Sequence, residues 1–281
     1  MSNIVLLTGA TGFVGYQVLR ELNRQRVQTR VVIREGSTYK LPEDIELEST
    51  VTTDDLFAES VEWWIDVLEG VDTVIHLAWY AEPEKYVASI KNMDCMIGTL
   101  NMAKAAIKAK VRRFVGVGSC SEYRLTGSKL SAQTLLDPCT PYAASKGATY
   151  MALVQLLPSQ GVSFLWCRLF YLYGAREDSR RLVPYLRENL SAGESVELTS
   201  GQQYRDFLDV QEAGEMLVKN ALTDKTGAIN ICSGVAVTVR ELAEKIADEY
   251  GRRDLLNFGA RECSVFDPPY VVGIKEQNKE E

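Results

Sequence analysis

A tyrosine and a lysine, Tyr142 and Lys146, stand four positions apart in the segment TPYAASKGATYM. The segment reads as the first turns of a helix, and residues four apart on a helix leave the same face. A phenol beside an ammonium can exchange protons, because the positive charge stabilises the phenolate and lowers the pKa of the tyrosine. Such pairs also occur on ordinary exposed helices, so a chemical role depends on what the chain places around them.

Three glycines follow the first apolar segment, in LLTGATGFVGYQVLRELN, with the spacing GxxGxxG. Gly9 permits a sharp turn, Gly12 lets the backbone approach a pyrophosphate, and Gly15 lets the next helix pack closely on a sheet. The phosphates would then face the positive end of the helix dipole. This segment therefore predicts a dinucleotide-binding turn.

The end of the second apolar segment, VVIREGS, bears on the choice of dinucleotide. A carboxylate there would bind the 2′-hydroxyl of NAD, whereas an arginine accommodates the 2′-phosphate of NADP. Arg34 continues the strand while Glu35 can turn to solvent, so NADP(H) is favoured. NAD(H) is the alternative, in which Arg34 stacks on the adenine.

The elements that must position these residues alternate between strand and helix. The apolar segments IVLLTG, TRVVIRE, VDTVIHLA, RRFVGVGS and VSFLWCRLF predict strands. Helical periodicity predicts helices at 13–25, 61–70, 87–110 and 142–157. Strands separated by helices of this length form a parallel sheet covered on both faces. We therefore predict an α/β fold with a Rossmann-type doubly wound parallel sheet.

From about Gly174 onward, the segments of the sequence become shorter and more polar. We expect residues 1–173 to form the dinucleotide-binding Rossmann domain. Residues 174–281 would form a small C-terminal substrate lobe that is partly interleaved with the first domain.

The composition and net charge of the chain limit the kinds of partner that we expect it to bind. A net charge of −7 and a pI near 5.1 argue against a nucleic-acid-binding surface. The single histidine, His76, excludes zinc sites built on paired histidines, and six scattered cysteines form no CxxC pair. We expect no metal, reduced thiols and a structural role for His76. With no apolar run near the ~18 to 20 residues of a membrane span and no N-terminal targeting segment, we expect a cytoplasmic protein without a membrane partner.

The segments TGATGFVG and PYAASK together resemble the extended short-chain dehydrogenase/reductase family, in its NAD-dependent epimerase/dehydratase group that acts on nucleotide sugars. RLFYLYG is similar to the R-x-F-N-V-Y-G segment of that family, and HLA to the end of its fourth strand. RRLVPYL and GQQYRDFLDV resemble the half that binds the nucleotide-diphosphate sugar. The resemblance runs over nearly the whole chain.

The resemblance implies a catalytic trio. Tyr142 would exchange a proton with a sugar hydroxyl or keto oxygen, and Lys146 would tune Tyr142 and hold the nicotinamide ribose. The third member is a Ser or Thr at the end of the preceding strand. Alignment on Tyr123 selects Ser119, and Ser121, on the same face of an extended chain, is the alternative.

The resemblance also assigns cofactor-binding residues beyond the glycines and Arg34. Asp55 fits the aspartate that contacts the adenine, although Asp54 is adjacent. The full set of predicted cofactor-binding residues is Gly9, Thr11, Gly12, Phe13, Val14, Gly15, Arg34, Asp55, Leu77, Ala78, Tyr142 and Lys146.

The predicted substrate-binding residues are Ser119, Tyr171, Val183 and Arg205. Arg205 matches the family arginine that pairs with the diphosphate, a role suited to a guanidinium. Asp206 beside it is expected to be structural. Further candidates for the anionic end of the substrate are Arg180, Arg181 and Arg261.

Differences from the family pattern reduce the number of reactions that we expect the protein to catalyse. Nucleotide-sugar 4,6-dehydratases place an Asp-Glu pair directly after the Ser or Thr, where this chain has Cys120 and Ser121, so dehydration is not expected. Tyr171 replaces an asparagine that contacts substrate, and Cys95 replaces an asparagine of the long helix. The usual last strand and helix are expected to be missing or displaced, which would leave the substrate lobe more open.

The function favoured by these observations is NADPH-dependent reduction of a nucleotide-linked 4-keto-6-deoxy sugar. A nucleotide-sugar 4-epimerase with tightly bound NAD is the alternative enzyme. A non-catalytic dinucleotide-binding sensor on the same fold is the alternative of another class. The resemblance further implies a homodimer that pairs the long helix and the tyrosine-bearing helix.

Overall fold

The computed structural model describes residues 4–262 and 267–275 of the 281-residue chain. The strands are β1 Ile4–Thr8, β2 Thr29–Arg34, β3 Ser49–Thr53, β4 Val71–His76, β5 Arg113–Ser119, β6 Ser163–Leu169, β7 Tyr171–Tyr173, β8 Val196–Leu198, β9 Tyr204–Arg205, β10 Phe207–Asp209, β11 Gly227–Ile231, β12 Val237–Thr238, β13 Leu256–Phe258 and β14 Tyr270–Val271. The α-helices are α1 Phe13–Arg24, α2 Val61–Val67, α3 Lys91–Lys108, α4 Pro141–Ser159, α5 Leu182–Ala192, α6 Val210–Ala221 and α7 Val239–Tyr250.

Seven of these strands form one parallel sheet in the order β11-β6-β5-β4-β1-β2-β3. The chain runs outward from β1 to β3 and then returns to β4 on the other side of β1. This reversal leaves a crevice at the carboxyl ends of β1 and β4, where doubly wound sheets bind ligands. The topology confirms the predicted Rossmann-type sheet.

Alternation along the strands supplies both faces of the core. On β1, Val5 and Leu7 join the apolar cluster that includes α1 and α6, whereas Ile4 and Leu6 join the cluster that includes α2, α3 and α4. Successive side chains of a strand point to opposite faces, so a strand covered on both sides needs this unbroken apolar run. The two clusters fix the strand ends that carry the site.

The long helix begins later than the sequence predicts. Residues 87–110 were expected to be helical, but Tyr86–Ala88 form a separate 3-10 turn and α3 begins at Lys91. Ser89 is extended, with φ −70° and ψ 139°, which separates the two elements. The resulting bend brings Tyr86 toward the start of α4.

The second half of the chain contributes to the sheet as well as to a lobe of its own. β11 pairs with β6 as the last strand of the sheet, and α6 packs against α1. The rest of this half packs α5 against α7 around a small core that contains Val183, Leu186 and Ile246. Two short pairings, β7 with β10 and β9 with β12 and β14, carry Tyr171 and Arg205 to the sheet's carboxyl edge.

Candidate active site

The glycine turn between β1 and α1 is shaped for a close ligand. Gly9 has φ +77°, and a Cβ there would lie 2.8 Å from the backbone N of Ala78. A Cβ on Gly15 would lie 2.0 Å from the backbone O of Gly9, so only glycine lets α1 approach the turn. Gly12 caps α1 without a side-chain hydrogen bond, which leaves first-turn N–H groups for an anion. The turn fits the pyrophosphate of a dinucleotide.

A cavity of about 2010 Å³ extends from this turn across the carboxyl edge of the sheet to the lobe that contains α5 and α7. Pockets for one small molecule typically measure about 300 to 1,000 Å³, so this cavity can hold two ligands together. All of the predicted site residues line it: Gly9, Thr11, Gly12, Phe13, Val14, Gly15, Arg34, Asp55, Leu77, Ala78, Ser119, Tyr142, Lys146, Tyr171, Val183 and Arg205. The structure brings them together, and their individual roles stay predictions.

Ser119 and Tyr142 both line the cavity. Ser119 is the last residue of β5, and Tyr142 lies in the first turn of α4, whose N-cap Thr140 accepts a hydrogen bond from Ala143 N. The Ser119 side chain lies close enough to Tyr142 to act to lower the pKa of the phenol. Burial raises the pKa of Tyr142 above its usual value, and this effect exceeds the opposing effect of Ser119. The phenol therefore holds its proton at neutral pH in the ligand-free protein.

Lys146 lies one turn further along α4 and is 4% exposed. Its Nζ donates to Val117 O at 2.6 Å. Burial lowers the pKa of the Lys146 ammonium to about 7. From the spacing of the two residues, we predicted only that the lysine lowers the pKa of the tyrosine. In the folded chain, burial of both groups is the larger influence on each pKa.

Ser121, the alternative third residue, lies behind Ser119. Its Oγ donates to Ser119 Oγ at 2.8 Å, and its backbone N donates to the same oxygen at 3.2 Å. Because the Ser119 oxygen accepts these bonds, its own hydrogen is directed elsewhere, toward Tyr142 or a ligand. The geometry favours Ser119 as the residue that contacts the ligand.

A buried ion pair supports the end of β5. The Glu122 carboxylate accepts from Ser119 N at 2.7 Å and from Arg168 Nε at 2.7 Å, and both charged side chains are fully buried. Trp166 Nε1 also donates to this carboxylate. These bonds make the buried charges tolerable, although Arg168 Nη2 is buried without a hydrogen-bond partner among the described residues. The bond from Ser119 N to Glu122 fixes the direction in which Ser119 leaves the strand.

Cys120 and Ser121 both line the cavity at the positions where dehydratases carry their acid and base. Burial raises the pKa of the Cys120 thiol to about 12, so it stays neutral at physiological pH. A serine hydroxyl has no titration in this range. Neither side chain can act as a carboxylic acid or carboxylate.

The end of β2 forms part of the cavity wall. Arg34 is exposed and lines the cavity, whereas Glu35 is not among the described residues that line it. Asp54 and Asp55 both line the cavity, and Asp55 Oδ1 accepts from Phe57 N at 3.0 Å. Of Arg34 and Glu35, only Arg34 therefore lines the cavity.

The substrate side is built around Arg205. This residue is 3% exposed, its guanidinium lies 5.2 Å from the Tyr171 ring centroid, and it forms an ion pair with Asp267. The partner Asp267 was missed by the sequence reasoning, since it lies 62 residues away without a local motif. Arg205 thus already carries a counter-charge that an anionic ligand would meet.

Asp206 and the three further arginine candidates differ in their burial and in their partners. Asp206 is fully buried and accepts from the backbone N–H groups of Ser233, Gly234 and Gly273, which gives it the expected structural role. The three further arginine candidates line the cavity but have other partners. Those partners are Asp178 for Arg180, the Tyr86 ring for Arg181 and the Tyr185 ring for Arg261.

Two aromatic residues beside Tyr142 and Lys146 were also missed. The Tyr86 ring meets the Tyr142 ring edge-on, with centroids 4.8 Å apart. The Trp79 ring lies over the Lys146 ammonium, 3.8 Å from centroid to Nζ. Trp79 directly follows the HLA segment, and that adjacency was the available signal.

His76 is structural, as expected. It is 3% exposed and lies between two threonine hydroxyls, Thr8 at 2.8 Å from Nδ1 and Thr99 at 2.9 Å from Nε2. Burial lowers its pKa to about 3, which keeps the ring neutral. Among residues 4–262 and 267–275, no cluster of His, Cys, Asp or Glu is arranged to hold a metal ion. No described helix is both long and apolar enough to cross a membrane.

Known proteins resemble this chain over most of its length. A model of the NAD dependent epimerase/dehydratase family matches residues 5–232. The chain is similar to dTDP-6-deoxy-L-talose 4-dehydrogenase (NAD(+)) of Aggregatibacter actinomycetemcomitans, with 22% identity over 96% of this chain and 99% of that protein. It is also similar to GDP-6-deoxy-D-mannose reductase of Pseudomonas aeruginosa, with 29% identity over 63% of this chain and 62% of that one.

Solved structures extend the likeness to the fold. UDP-N-acetylglucosamine 4-epimerase from Methanobrevibacter ruminantium M1, in complex with UDP-N-acetylmuramic acid, superposes with a TM-score of 0.83. The superposition covers 98% of this chain and 91% of that chain at 23% sequence identity.

Proposed function

The chain belongs to the NAD dependent epimerase/dehydratase family of nucleotide-sugar enzymes, and on that premise we propose that it reduces a nucleotide-linked 4-keto-6-deoxy sugar with NADPH. The observation that carries this proposal is that Ser119, Tyr142 and Lys146 line one cavity together, with no carboxylic acid at positions 120 and 121. That set serves one proton transfer at a carbonyl oxygen and lacks groups for eliminating water.

Tyr142, Ser119 and Lys146 have separate roles in the proposed reduction. NADPH, when bound, supplies a hydride to the carbonyl carbon. Tyr142 gives its proton to the carbonyl oxygen, and its raised pKa means that the proton is present at neutral pH. Ser119 donates a hydrogen bond to the same oxygen as negative charge develops there. Lys146 stabilises the phenolate left on Tyr142 and takes the ribose of the cofactor.

The proposed cofactor preference rests on the end of β2. Arg34 lines the cavity and is exposed, so its guanidinium is free to pair with a 2′-phosphate. NAD is the alternative, since the relative from Aggregatibacter is named for NAD(+). Asp55 is proposed as the adenine contact, as in the sequence prediction.

The proposed substrate follows from the other end of the cavity. Arg205 would take the diphosphate, exchanging its Asp267 partner for the ligand. Tyr171, in place of the family asparagine, presents a ring toward the sugar, which suits a deoxy sugar with fewer hydroxyl groups. Two relatives are named as enzymes that oxidise or reduce 6-deoxy sugars.

We also propose that the protein acts as a homodimer through α3 and α4. The exposed apolar side chains of this region are Ile90, Met93 and Ile97 near or on α3, and Met151 and Leu156 on α4. An exposed apolar patch of this kind marks an interaction surface. We further propose that the dinucleotide-binding domain ends at residue 173 and that the substrate lobe begins at residue 174. We also propose that the protein is cytoplasmic.

The test is nicotinamide absorbance during incubation of cofactor-stripped protein with NADPH or NADH and a panel of nucleotide-linked 4-keto-6-deoxy sugars. We expect sugar-dependent loss of NADPH, lowered about 10²- to 10⁴-fold in Tyr142→Phe. Tyr150→Phe, on the same helix but outside the cavity, should keep the activity.

A 4-epimerase is the second candidate, because a structurally similar protein is a UDP-N-acetylglucosamine 4-epimerase. An epimerase returns its hydride and shows no net consumption of cofactor. Interconversion of ordinary nucleotide hexoses after addition of NAD, without NADPH loss on any keto sugar, would replace the reductase by the epimerase.

A further inference from the structure

The ammonium of Lys146 has an unusual set of neighbours. It donates to a backbone carbonyl, Val117 O, and within the described residues it forms no ion pair with a carboxylate. The nearest ring is that of Trp79, whose centroid lies 3.8 Å from Nζ, close to the shortest approach of a cation to an aromatic face. The Trp166 ring is further away, at 5.9 Å.

Trp79 is itself fixed by a buried amide. Its Nε1 donates to Asn92 Oδ1 at 2.9 Å, and Asn92 is fully buried. The Asn92 Nδ2 donates to Tyr86 O at 2.6 Å and to Ser89 O at 2.9 Å. Every polar atom of the amide is therefore bonded, and each bond depends on one orientation of the side chain. Asn92 sets where the indole lies.

The same amide reaches the other catalytic residue. Asn92 holds the backbone of Tyr86, and the Tyr86 ring meets Tyr142 edge-on at 4.8 Å. One buried side chain thus links the two rings that flank Tyr142 and Lys146. It lies in the first turn of α3, directly after the bend at Ser89.

We propose that Asn92 and Trp79 are positioning residues for the catalytic pair: Asn92 fixes the indole, and the indole face holds the Lys146 ammonium in its charged form beside Tyr142. The aromatic face attracts a cation and does not attract a neutral amine, so it favours protonation. This deepens the proposed reductase and rests on it for the role of Lys146.

Other groups around Lys146 must be accounted for in a titration. Glu122, at the end of β5, and Cys95, on α3, both raise its pKa, and burial opposes them. His76 on β4 stays neutral, with its pKa lowered to about 3, and Tyr142 on α4 keeps its proton. None of these groups is changed by substitutions at positions 79 and 92.

The experiment is an NMR titration of Lys146 in protein labelled with ¹³C at lysine Cε, with the signal assigned by Lys146→Arg. In Trp79→Leu we expect the pKa of Lys146 to fall by about 0.5 to 1.5 units. Trp79→Phe keeps a weaker aromatic face and should show a smaller fall. Asn92→Leu keeps the indole without its anchor and should also lower the pKa.

The matched control is Trp63→Leu, which removes an indole from α2, outside the cavity, and should leave the pKa of Lys146 unchanged. If Trp79→Leu does not fold, the graded comparison of Trp79→Phe and Asn92→Leu with the wild type decides. An unchanged pKa in both folded variants would overturn the proposal.

A kinetic readout separates this proposal from the reductase itself. With a reducible sugar, the pH at which kcat declines as Lys146 loses its proton should move downward in Trp79→Phe by the same amount as the pKa. If no sugar is reduced, the proposed function fails while the titration still decides the role of Trp79.

Discussion

The two ends of the cavity are built in different ways. At the end where we propose that the cofactor binds, which we call the cofactor end, the wall is formed mainly by backbone. It consists of the ends of β1, β2 and β4 and a turn in which Gly15 has no room for a Cβ. At the substrate end, side chains from distant parts of the chain meet, as in the pairing of Arg205 with Asp267. A site made of backbone is encoded over a few neighbouring residues, whereas one made of side-chain pairs depends on the completed fold.

The largest effect is expected from Gly15→Ala at the cofactor end. The added Cβ would lie 2.0 Å from Gly9 O, so α1 must move away from the turn and cofactor binding should be lost. The measurement is quenching of protein fluorescence by NADPH. Gly147→Ala on α4 is the control, since its Cβ would meet only Pro138 Cγ at 3.9 Å; equal binding by both variants would contradict a backbone-built site.

Ser119→Ala should lower kcat by about 10², because it removes a donor to the reacting oxygen. Ser121→Ala should lower kcat by less, about threefold to tenfold, because it only releases the orientation of Ser119. Steady-state kinetics with saturating cofactor compares the two. A larger loss in Ser121→Ala would exchange their roles.

At the substrate end, Arg205→Ala should raise KM for the nucleotide sugar about 10- to 100-fold, the value of a charged hydrogen bond. Asp267→Asn should have the opposite sign and lower KM a few-fold, because it frees the guanidinium. Binding of NADPH, measured by fluorescence, should be unchanged in both. A parallel loss of NADPH binding would show that the two ends are not independent.

Arg34→Ala should raise KM for NADPH about tenfold and leave KM for NADH unchanged, since only the first has a 2′-phosphate. The effect should shrink with added salt because Arg34 is exposed. Glu35→Ala, at a residue outside the cavity lining, is the matched control. A wild-type preference for NADH would remove the role given to Arg34.

The smallest effect concerns stability and His76. Its pKa is about 3 in the folded protein and 6.5 when unperturbed, so the unfolded chain takes up the proton first and stability falls as pH drops from about 6.5 toward 3. Between pH 7 and pH 6 this amounts to less than about 1 kcal/mol of unfolding free energy. Urea unfolding at both pH values measures it. His76→Asn should lose this difference; if it keeps the full dependence, other groups are responsible.

The sequence was most informative where the fold is repetitive and local. The parallel sheet, the alternation of strands and helices before Gly174 and the glycine turn follow from periodicity and from spacing within about ten residues. The bend before α3 was missed because helical periodicity continues through Ser89 while its backbone is extended. Trp79 could be placed next to a motif, but its contact with Lys146 needed the buried Asn92 to orient the ring. Asp267 could not be placed, since nothing near it in the chain indicates Arg205.

The position of β11 has a consequence for how the protein is made. This strand, residues 227–231, completes the sheet beside β6, and α6 covers the face of α1. During synthesis, the edge of β6 and the apolar side of α1 stay open until most of the chain has left the ribosome. A gene fragment encoding only residues 1–173 should therefore yield aggregated protein, and co-expression of residues 174–281 should restore solubility.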